Sequence, residues 1–234
     1  MRGLVTKSTG TLYKVKTQEG TIIECRIKGK LRLSGIRTTN PIAVGDYVFY
    51  DLENEQSGII TKIDDRKNYI IRKASNLSKE SQIIAANIDM AYLVVTIHSP
   101  QTLLPFIDRF LVSTEAYDIP ATILINKYDL FLSEEDQKKI EEWTEIYRPA
   151  GYNVLCISTV TDYNMDVLRN QLAGKVSAFS GNSGVGKTSI IKKLTENENL
   201  KTSEISKSFH KGQHTTTFAE MYEMPNGGNI IDTP

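Results

Sequence analysis

Cysteine is nearly absent from this sequence of 234 residues, which holds only Cys25 and Cys156. Two cysteines so far apart, with no second metal ligand near either, exclude a disulfide framework and a zinc site of closely spaced ligands. Long apolar runs are missing too, since the longest, around residues 91–97, is too short to span a bilayer. The first residues lack the apolar run of a signal peptide. We therefore expect a cytosolic protein without a membrane partner.

Net charge is also missing, because 28 basic side chains balance 28 acidic ones. Total charge thus says nothing about partners, but its distribution is uneven: residues 1–37 hold nine lysines and arginines against two acidic residues. This excess favours a nucleic-acid partner for the N-terminal part. The polar face of a half-buried strand is the alternative explanation for its alternating basic residues. These residues are Arg26, Lys28, Lys30 and Arg32.

Residues 1–72 have the pattern of short strands separated by turn residues. The candidate strands cover residues 11–16, 21–28, 46–51, 58–63 and 69–72. Five short strands in so few residues predict a small closed β-barrel of the OB type. The basic excess favours an RNA-binding role for it. Tyr13, Tyr47 and Tyr50 could stack on bases or fill the barrel core. Residues 73–87 are polar without a strong period, and we expect them to form a linker.

From residue 88 to residue 234 the pattern changes to buried strands that alternate with amphipathic helices. Candidate strands cover residues 90–97, 121–126, 154–158, 176–180, 218–224 and 229–232, and candidate helices cover residues 102–117, 133–147, 165–172 and 189–194. Ser133 is predicted to cap the second helix. This alternation predicts an α/β domain with a mostly parallel sheet covered by helices on both faces, its last two strands being antiparallel.

A phosphate loop follows the candidate strand at residues 176–180. Eight residues fit the pattern G-x-x-x-x-G-K-[ST]: Gly181, Asn182, Ser183, Gly184, Val185, Gly186, Lys187 and Thr188. Glycines let the backbone amides of such a loop converge on phosphate oxygens. Lys187 would face the β- and γ-phosphates, Thr188 would ligate Mg²⁺, and the helix that starts at Ser189 would add its positive dipole end. A glycine-rich turn before a helix is the alternative.

A base-reading motif, Asn-Lys-x-Asp, lies at the end of the buried candidate strand at residues 121–126. It consists of Asn126, Lys127 and Asp129. Guanine presents two donors on one edge, and the Asp129 carboxylate can accept both, whereas adenine would leave it unpaired. Asn126 would approach the O6/N7 side, and the stem of Lys127 would pack on the ring plane. Taken by themselves, these residues could belong to a helix-capping loop after a strand. Together with a phosphate loop they predict GTP as the ligand. Ser158 and its neighbours, at the end of the next strand, could support the base through backbone amides.

Metal ligands are expected on both sides of the last candidate strands. In the polar segment at residues 207–217, Thr216, in preference to Thr215 and Thr217, is predicted to complete the Mg²⁺ shell when the γ-phosphate is present. A flexible polar loop without a ligand has the same composition. Asp232 ends a buried strand and is suited to hold Mg²⁺ directly or through water.

The order of these motifs differs from that in ordinary GTPases, where the phosphate loop comes first. Here residues 126–129 precede residues 181–188, and Asp232-Thr233-Pro234 comes last. With an OB-like barrel and the stretch Gly-Gln-His-Thr-Thr-Thr at residues 212–217, the chain closely resembles the RsgA/YjeQ family of circularly permuted GTPases over essentially its whole length. The resemblance implies a GTPase that acts late in maturation of the small ribosomal subunit. It also implies that the protein contacts the rRNA of the subunit and that the subunit stimulates GTP hydrolysis.

His214 directly precedes the three threonines, so an ordered switch would bring its imidazole near the γ-phosphate. There it would orient the attacking water, a role that the family resemblance favours. A solvent-exposed histidine in a basic loop is the alternative. Members of the family continue past the metal aspartate with a glycine and a zinc domain, so we expect zinc only in a C-terminal region that this sequence does not contain.

Two other functions remain open at this stage. One is a monomeric RNA-binding assembly factor in which the nucleotide only gates affinity, and a hydrolysis-dead variant would distinguish it from a switch. The other is an ATP-dependent kinase built on the same loop, against which the Asn-Lys-x-Asp motif argues. We expect a monomer for the GTPase switch and for the assembly factor.

Overall fold

The computed structural model describes residues 1–27, 41–73, 81–198, 200 and 219–233. They form two compact units, one mainly from residues 1–88 and the other mainly from residues 89–232. Each unit has a hydrophobic core of its own. No helix in the described part of the chain is long and apolar enough to cross a membrane.

Five strands of the first unit close into a barrel. They are β1 (Arg2–Ser8), β2 (Tyr13–Lys16), β3 (Ile22–Ile27), β4 (Tyr47–Asn54) and β5 (Ser57–Ile63). β1 pairs with β2 and β4, β3 pairs with β2 and β5, and the pairing of β4 with β5 completes the ring. Tyr13 and Tyr50 are buried in the barrel core, so of the three candidate tyrosines only Tyr47 is exposed. The predicted OB-like barrel is confirmed.

The first barrel strand, β1, is absent from the candidate strands of the sequence. Its inward position Gly3 carries no side chain, and a β-carbon there would lie 2.5 Å from Cγ1 of Val15. A bulge between Val5 and Lys7 then shifts the alternation of inward and outward residues. An inward glycine and a bulge together leave no period-two apolar signal in the sequence.

Residues 69–72, predicted as the fifth barrel strand, instead belong to a separate hairpin. Here β6 (Tyr69–Lys73) pairs antiparallel with β7 (Ser81–Ala86). Ile83 and Ala86 of β7 are buried against Ala43 in a small core of their own. The linker prediction is therefore wrong for residues 81–86, whose apolar side chains pack within the first unit.

The second unit contains a sheet with the strand order β10–β9–β8–β11–β13–β12. Its strands are β8 (Met90–Val95), β9 (Ala121–Ile125), β10 (Asn153–Cys156), β11 (Val176–Ser180), β12 (Glu220–Glu223) and β13 (Asn229–Asp232). The first five in this order pair in parallel. β12 and β13 are neighbours joined by a short turn, in which the Met224 N–H donates to the Gly228 carbonyl at 2.7 Å. Adjacent strands with so short a connection run antiparallel, as predicted.

In the described part of this unit, four α-helices cover both faces of the sheet. They are α1 (Leu104–Glu115), α2 (Glu134–Tyr147), α3 (Met165–Leu172) and α4 (Lys187–Thr195). Alternate residues of β8 face opposite cores: Leu93 and Val95 pack with α1 and α2, whereas Tyr92 and Val94 pack with α3 and α4. Ser133 caps α2, since its hydroxyl accepts the backbone N–H three residues on at 3.1 Å. The predicted two-sided α/β architecture is confirmed.

Candidate functional site

The described candidate residues collect at one edge of the parallel sheet. Asn126 directly follows β9, Ser158 comes two residues after β10, Gly181 directly follows β11, and Asp232 ends β13. Because these strands are parallel, their carboxyl ends share an edge, and side chains there can converge on one ligand. β11, which leads into the phosphate loop, lies in the middle of the sheet between β8 and β13.

The phosphate loop has positive φ at its three glycines, and at two of them a side chain also has no room. Gly181 and Gly186 have φ angles of 145° and 97°. A β-carbon at Gly181 would collide with the Val94 carbonyl oxygen, and one at Gly186 would collide with the side-chain nitrogen of Asn126. Val185, between them, is fully buried in the core under α3 and α4. These close contacts hold the loop in a fixed position against the sheet, as a rigid phosphate-binding loop requires.

Lys187 begins α4 and turns its ammonium group back to the loop. Its Nζ donates to the carbonyls of Gly181 at 2.5 Å and Asn182 at 3.3 Å. These bonds use two of the three ammonium donors, and the third can donate to an anion. Burial lowers the pKa of Lys187, while attraction to the Asp232 carboxylate opposes that shift. A partly desolvated cation attracts a phosphate strongly because water screens it less.

The base-reading motif and the phosphate loop bind each other directly. Asn126 Nδ2 donates to the Val185 carbonyl at 2.8 Å, and Lys127 Nζ donates to the Gly184 carbonyl at 2.8 Å. Two motifs that lie far apart in sequence thus meet in one site. The Asn126 Oδ1 atom is buried and has no hydrogen-bond partner among the described residues. Since buried polar atoms are nearly always paired, this acceptor fits a pocket that is completed by a hydrogen-bond donor from outside the described residues.

Asp129 is held by a side chain from the next strand. The Ser158 hydroxyl donates to Asp129 Oδ1 at 2.5 Å, and its oxygen accepts the N–H groups of Val160 at 3.2 Å and Thr161 at 3.1 Å. Ser158 is fully buried. The hydroxyl thus holds a carboxylate of the base-reading motif, and support of the base by backbone amides at this position stays a prediction. The bond fixes the direction in which the carboxylate faces.

The loop at residues 96–102 forms a wall of the site that sequence reasoning missed. Lys127 Nζ donates to the Ser99 carbonyl at 2.6 Å, and the Pro100 ring approaches Gly184. The Thr96 hydroxyl closes the loop by donating to the Pro100 carbonyl at 2.5 Å. The contacts to Lys127 and Gly184 use a backbone carbonyl and a proline ring, so no motif could have pointed to them.

Two predicted metal ligands are described, and they flank the phosphate loop. Thr188 is the second residue of α4, and buried Asp232 pairs with Phe179, two residues before the loop begins. The described residues hold no cluster of three or more His, Cys, Asp or Glu side chains for a metal. Mg²⁺ commonly takes one or two protein oxygens and completes its shell with phosphates and waters, which suits this pair. Thr216 and His214 lie outside the described residues.

Family models divide the chain into two parts. Residues 2–60 match the model of the RsgA N-terminal domain, and residues 63–234 match that of the RsgA GTPase. The chain is 50% identical over 234 residues to the small ribosomal subunit biogenesis GTPase RsgA of Phocaeicola vulgatus, covering all of this chain and 75% of that protein. It is also 50% identical over 237 residues to the protein of the same name in Christiangramia forsetii, with the same coverage.

Solved structures give the same result. The crystal structure of YjeQ from Thermotoga maritima matches with a TM-score of 0.73 at 34% identity, over 100% of this chain and 74% of that one. The crystal structure of YloQ, a circularly permuted GTPase, matches with a TM-score of 0.67 at 29% identity, over 100% of this chain and 70% of that one. The motif order, the closed barrel and these matches agree: this chain belongs to the RsgA GTPase family.

Proposed function

We propose that this chain binds GTP at the carboxyl edge of its parallel sheet, hydrolyses it to GDP and phosphate, and acts as a switch in late maturation of the small ribosomal subunit. The observation that carries the proposal is the direct bonding of the base-reading motif to the phosphate loop, through Asn126 to Val185 and Lys127 to Gly184. A site that links a base reader rigidly to a phosphate cradle is built for one whole nucleotide.

Guanine selection is assigned to Asp129. Its carboxylate, oriented by Ser158, accepts the ring N1–H and the exocyclic amine of guanine. Asn126 Nδ2 has a second hydrogen for the O6/N7 side, and the Lys127 stem packs on the ring. Burial lowers the pKa of Lys127, and the nearby Asp129 carboxylate opposes that shift. Adenine would leave the carboxylate facing an acceptor, which is costly in a shielded pocket.

The phosphates are assigned to residues 181–189. Backbone amides of the loop and the α4 N-terminus, at Lys187, Thr188 and Ser189, bind phosphate oxygens, and the Lys187 ammonium neutralises the charge that develops between the β- and γ-phosphates. Thr188, Asp232 and Thr216 would hold Mg²⁺, which supplies further charge neutralisation when bound. Phosphoryl transfer to water needs mainly such positioning and electrostatic support, so this set suffices for slow hydrolysis.

Faster hydrolysis is assigned to His214. In this proposal the imidazole of His214 orients the attacking water by hydrogen bonding while the small subunit is bound. Stimulation by the subunit follows, because the water is positioned for attack in the complex. Thr216 would complete the Mg²⁺ shell when the γ-phosphate is present.

The barrel unit is assigned to the subunit's rRNA. The proposed division gives residues 1–72 the RNA contacts and residues 88–234 the nucleotide, with a monomer as the active form. Residues 1–37 carry seven more basic than acidic side chains, nine against two, and such an excess attracts phosphate backbones. Exposed Tyr47, with the Arg2 guanidinium 4.1 Å from its ring centroid, adds a surface suited to stacking.

A ribosomal partner implies that the protein works in the cytoplasm.

The test is a change of base specificity at Asp129. An Asp129→Asn variant should bind GTP weakly and prefer xanthosine triphosphate, whose base has an acceptor where guanine has its amine. Competition binding of the two triphosphates to parent and variant measures the change. An unchanged preference for GTP in the variant would remove Asp129 from base reading, and a parent that binds neither nucleotide would overturn the proposed function itself.

A further inference from the structure

Lys193 connects the helix after the phosphate loop to the loop that holds the base-reading carboxylate. Its Nζ donates to the Thr159 carbonyl at 2.7 Å and lies 2.6 Å from Asp162 Oδ1. Lys193 is in the last turn of α4, the helix that Lys187 begins. Thr159 directly follows Ser158. One side chain thus links the last turn of α4, the helix that begins at the phosphate loop, to the loop that holds Asp129 through Ser158.

The loop that Lys193 holds, residues 157–164, has other bonds within itself and to neighbouring elements. The Ile157 N–H donates to the Ile125 carbonyl at 2.8 Å, and the Ile157 carbonyl accepts the Tyr128 N–H at 3.1 Å. The Ser158 N–H donates to the Tyr163 carbonyl at 3.1 Å, and Asn164 Nδ2 donates to the Cys156 carbonyl at 2.9 Å. Tyr163 stacks on Tyr128 with ring centroids 4.8 Å apart. These contacts fix the shape of the loop, whereas the Lys193 ammonium fixes its middle, around Thr159 and Asp162, to α4.

We propose that Lys193 is a positioning residue for guanine selectivity, an inference that rests on the proposed nucleotide site. Lys193 holds Thr159, Thr159 carries Ser158 with it, and the Ser158 hydroxyl orients Asp129 at 2.5 Å. Hydrogen bonds weaken steeply with distance and angle, so a small shift of Ser158 turns the carboxylate away from the base. Lys193 itself touches neither base nor phosphate in this account.

The contribution of Lys193 lies in geometry more than in stability. The Lys193 side chain is 31% exposed and that of Asp162 is 65% exposed. Exposed ion pairs contribute little to the free energy of unfolding, because water screens them and long side chains lose entropy when they are held. Replacement of Lys193 should therefore leave the protein folded while it releases the base loop.

Inosine diphosphate is the probe that separates positioning from general damage. Hypoxanthine differs from guanine only by the missing exocyclic amine, so it keeps the N1–H contact to Asp129 and lacks the second one. A correctly oriented carboxylate distinguishes the two bases by that second bond. A carboxylate that has turned loses much of this difference, so the preference for GDP over IDP should narrow.

The experiment compares GDP and IDP dissociation constants for the parent, Lys193→Met, Lys193→Arg and the matched control Lys192→Met. For Lys193→Met we expect GDP binding to weaken by about tenfold and the GDP preference over IDP to fall by about threefold. Lys193→Arg keeps a cation that can reach the Thr159 carbonyl and should restore most of the preference. Lys192→Met removes the adjacent positive charge and should behave as the parent does.

The experiment distinguishes failure of the Lys193 proposal from failure of the proposed nucleotide site. If the parent prefers GDP to IDP and Lys193→Met keeps the same ratio, the positioning role is wrong while the nucleotide site stands. Equal weakening of both nucleotides is one form of this result, and it indicates general loosening of the site. A parent that binds neither nucleotide would instead overturn the proposed function. Thermal melting of the nucleotide-free variants confirms that each is folded.

Discussion

The hydroxyl of Ser158 lies 2.5 Å from the carboxylate of Asp129, although the two residues follow different strands. Ser158→Ala removes this donor and leaves the N–H groups of Val160 and Thr161 without the hydroxyl oxygen. Losing a bond to a charged group costs about 1.5–3 kcal/mol, so GDP should bind at least about tenfold more weakly. Calorimetric titration of GDP into parent and variant measures this loss.

Ser177 provides the matched control for that substitution. It is also fully buried, but its hydroxyl has no hydrogen-bond partner among the described residues. Removing an unpaired buried hydroxyl costs nothing in hydrogen bonding, so Ser177→Ala should keep both GDP affinity and stability. Equal GDP affinity in Ser158→Ala and Ser177→Ala would show that the serine does not orient the carboxylate.

A buried ion pair in the first unit predicts a large effect on stability. Arg66 donates to both carboxylate oxygens of Asp46, at 2.6 and 2.5 Å, and Asp46 is fully buried. Arg66→Met leaves this charge unpaired and should destabilise the protein by about 3–5 kcal/mol near neutral pH. Arg2→Met, which breaks an exposed pair with Asp64, should cost about 1 kcal/mol or less. Urea unfolding measures both.

The cost of Arg66→Met should depend on pH in a defined direction. Burial raises the pKa of Asp46 above its ordinary 3.8, and the Arg66 guanidinium opposes that shift. Without Arg66 the folded-state pKa rises further, so the folded protein binds a proton more tightly than the unfolded chain does. The free energy of unfolding of the variant therefore falls as pH rises from 3.8 through the folded-state pKa of Asp46. Above that pKa, Asp46 causes no further change. A cost that is no smaller at about pH 4.5 than at about pH 7.5 would contradict this reasoning.

The barrel predictions concern Arg26, which forms an exposed ion pair with Glu53 at 3.1 Å. Arg26→Glu should weaken binding to the small ribosomal subunit and flatten its salt dependence, while GTP binding is unchanged. Reversals at Lys28 and Arg32, outside the described residues, should add to the effect. The exchange of Arg26 and Glu53 keeps the net charge and tests position alone. Subunit binding that is the same for all variants across a salt titration would remove the barrel from RNA contact.

His214 and His210 form a matched pair in one segment outside the described residues. His214→Ala should slow subunit-stimulated GTP turnover markedly at unchanged GTP affinity, because it removes a water-orienting group and no nucleotide contact. His210→Ala should have much less effect. Turnover at saturating GTP and subunit distinguishes them, and a His214→Ala rate equal to that of the parent would exclude the role.

Local patterns predicted the elements whose signal lies in consecutive residues. The helix at Met165–Leu172 and the strands at Val176–Ser180 and Asn229–Asp232 match their predicted bounds. The phosphate loop was predicted because its glycines, at positive φ, and its lysine are each required by the geometry. In each case the physical requirement acts on neighbouring residues, so the sequence displays it directly.

Features that depend on distant partners could not be predicted in this way. Ser158 orients a carboxylate 29 residues away, and Lys193 reaches a carbonyl 34 residues away. Residues 69–72 were correctly predicted as a strand but assigned to the wrong partner, because local pattern does not encode pairing. Strand β1 was missed because its inward Gly3 adds no apolar side chain and a bulge interrupts the alternation.

The most direct test of the account is the steady-state rate of GTP hydrolysis, measured with and without purified small ribosomal subunits for the parent and for Lys187→Ala. The account predicts slow turnover by the parent alone and a rise of about tenfold or more with subunits. Lys187→Ala should fold normally but lose most of this turnover, because its ammonium faces the nucleotide. Parent turnover that is the same with and without subunits, or that survives Lys187→Ala, would contradict the account.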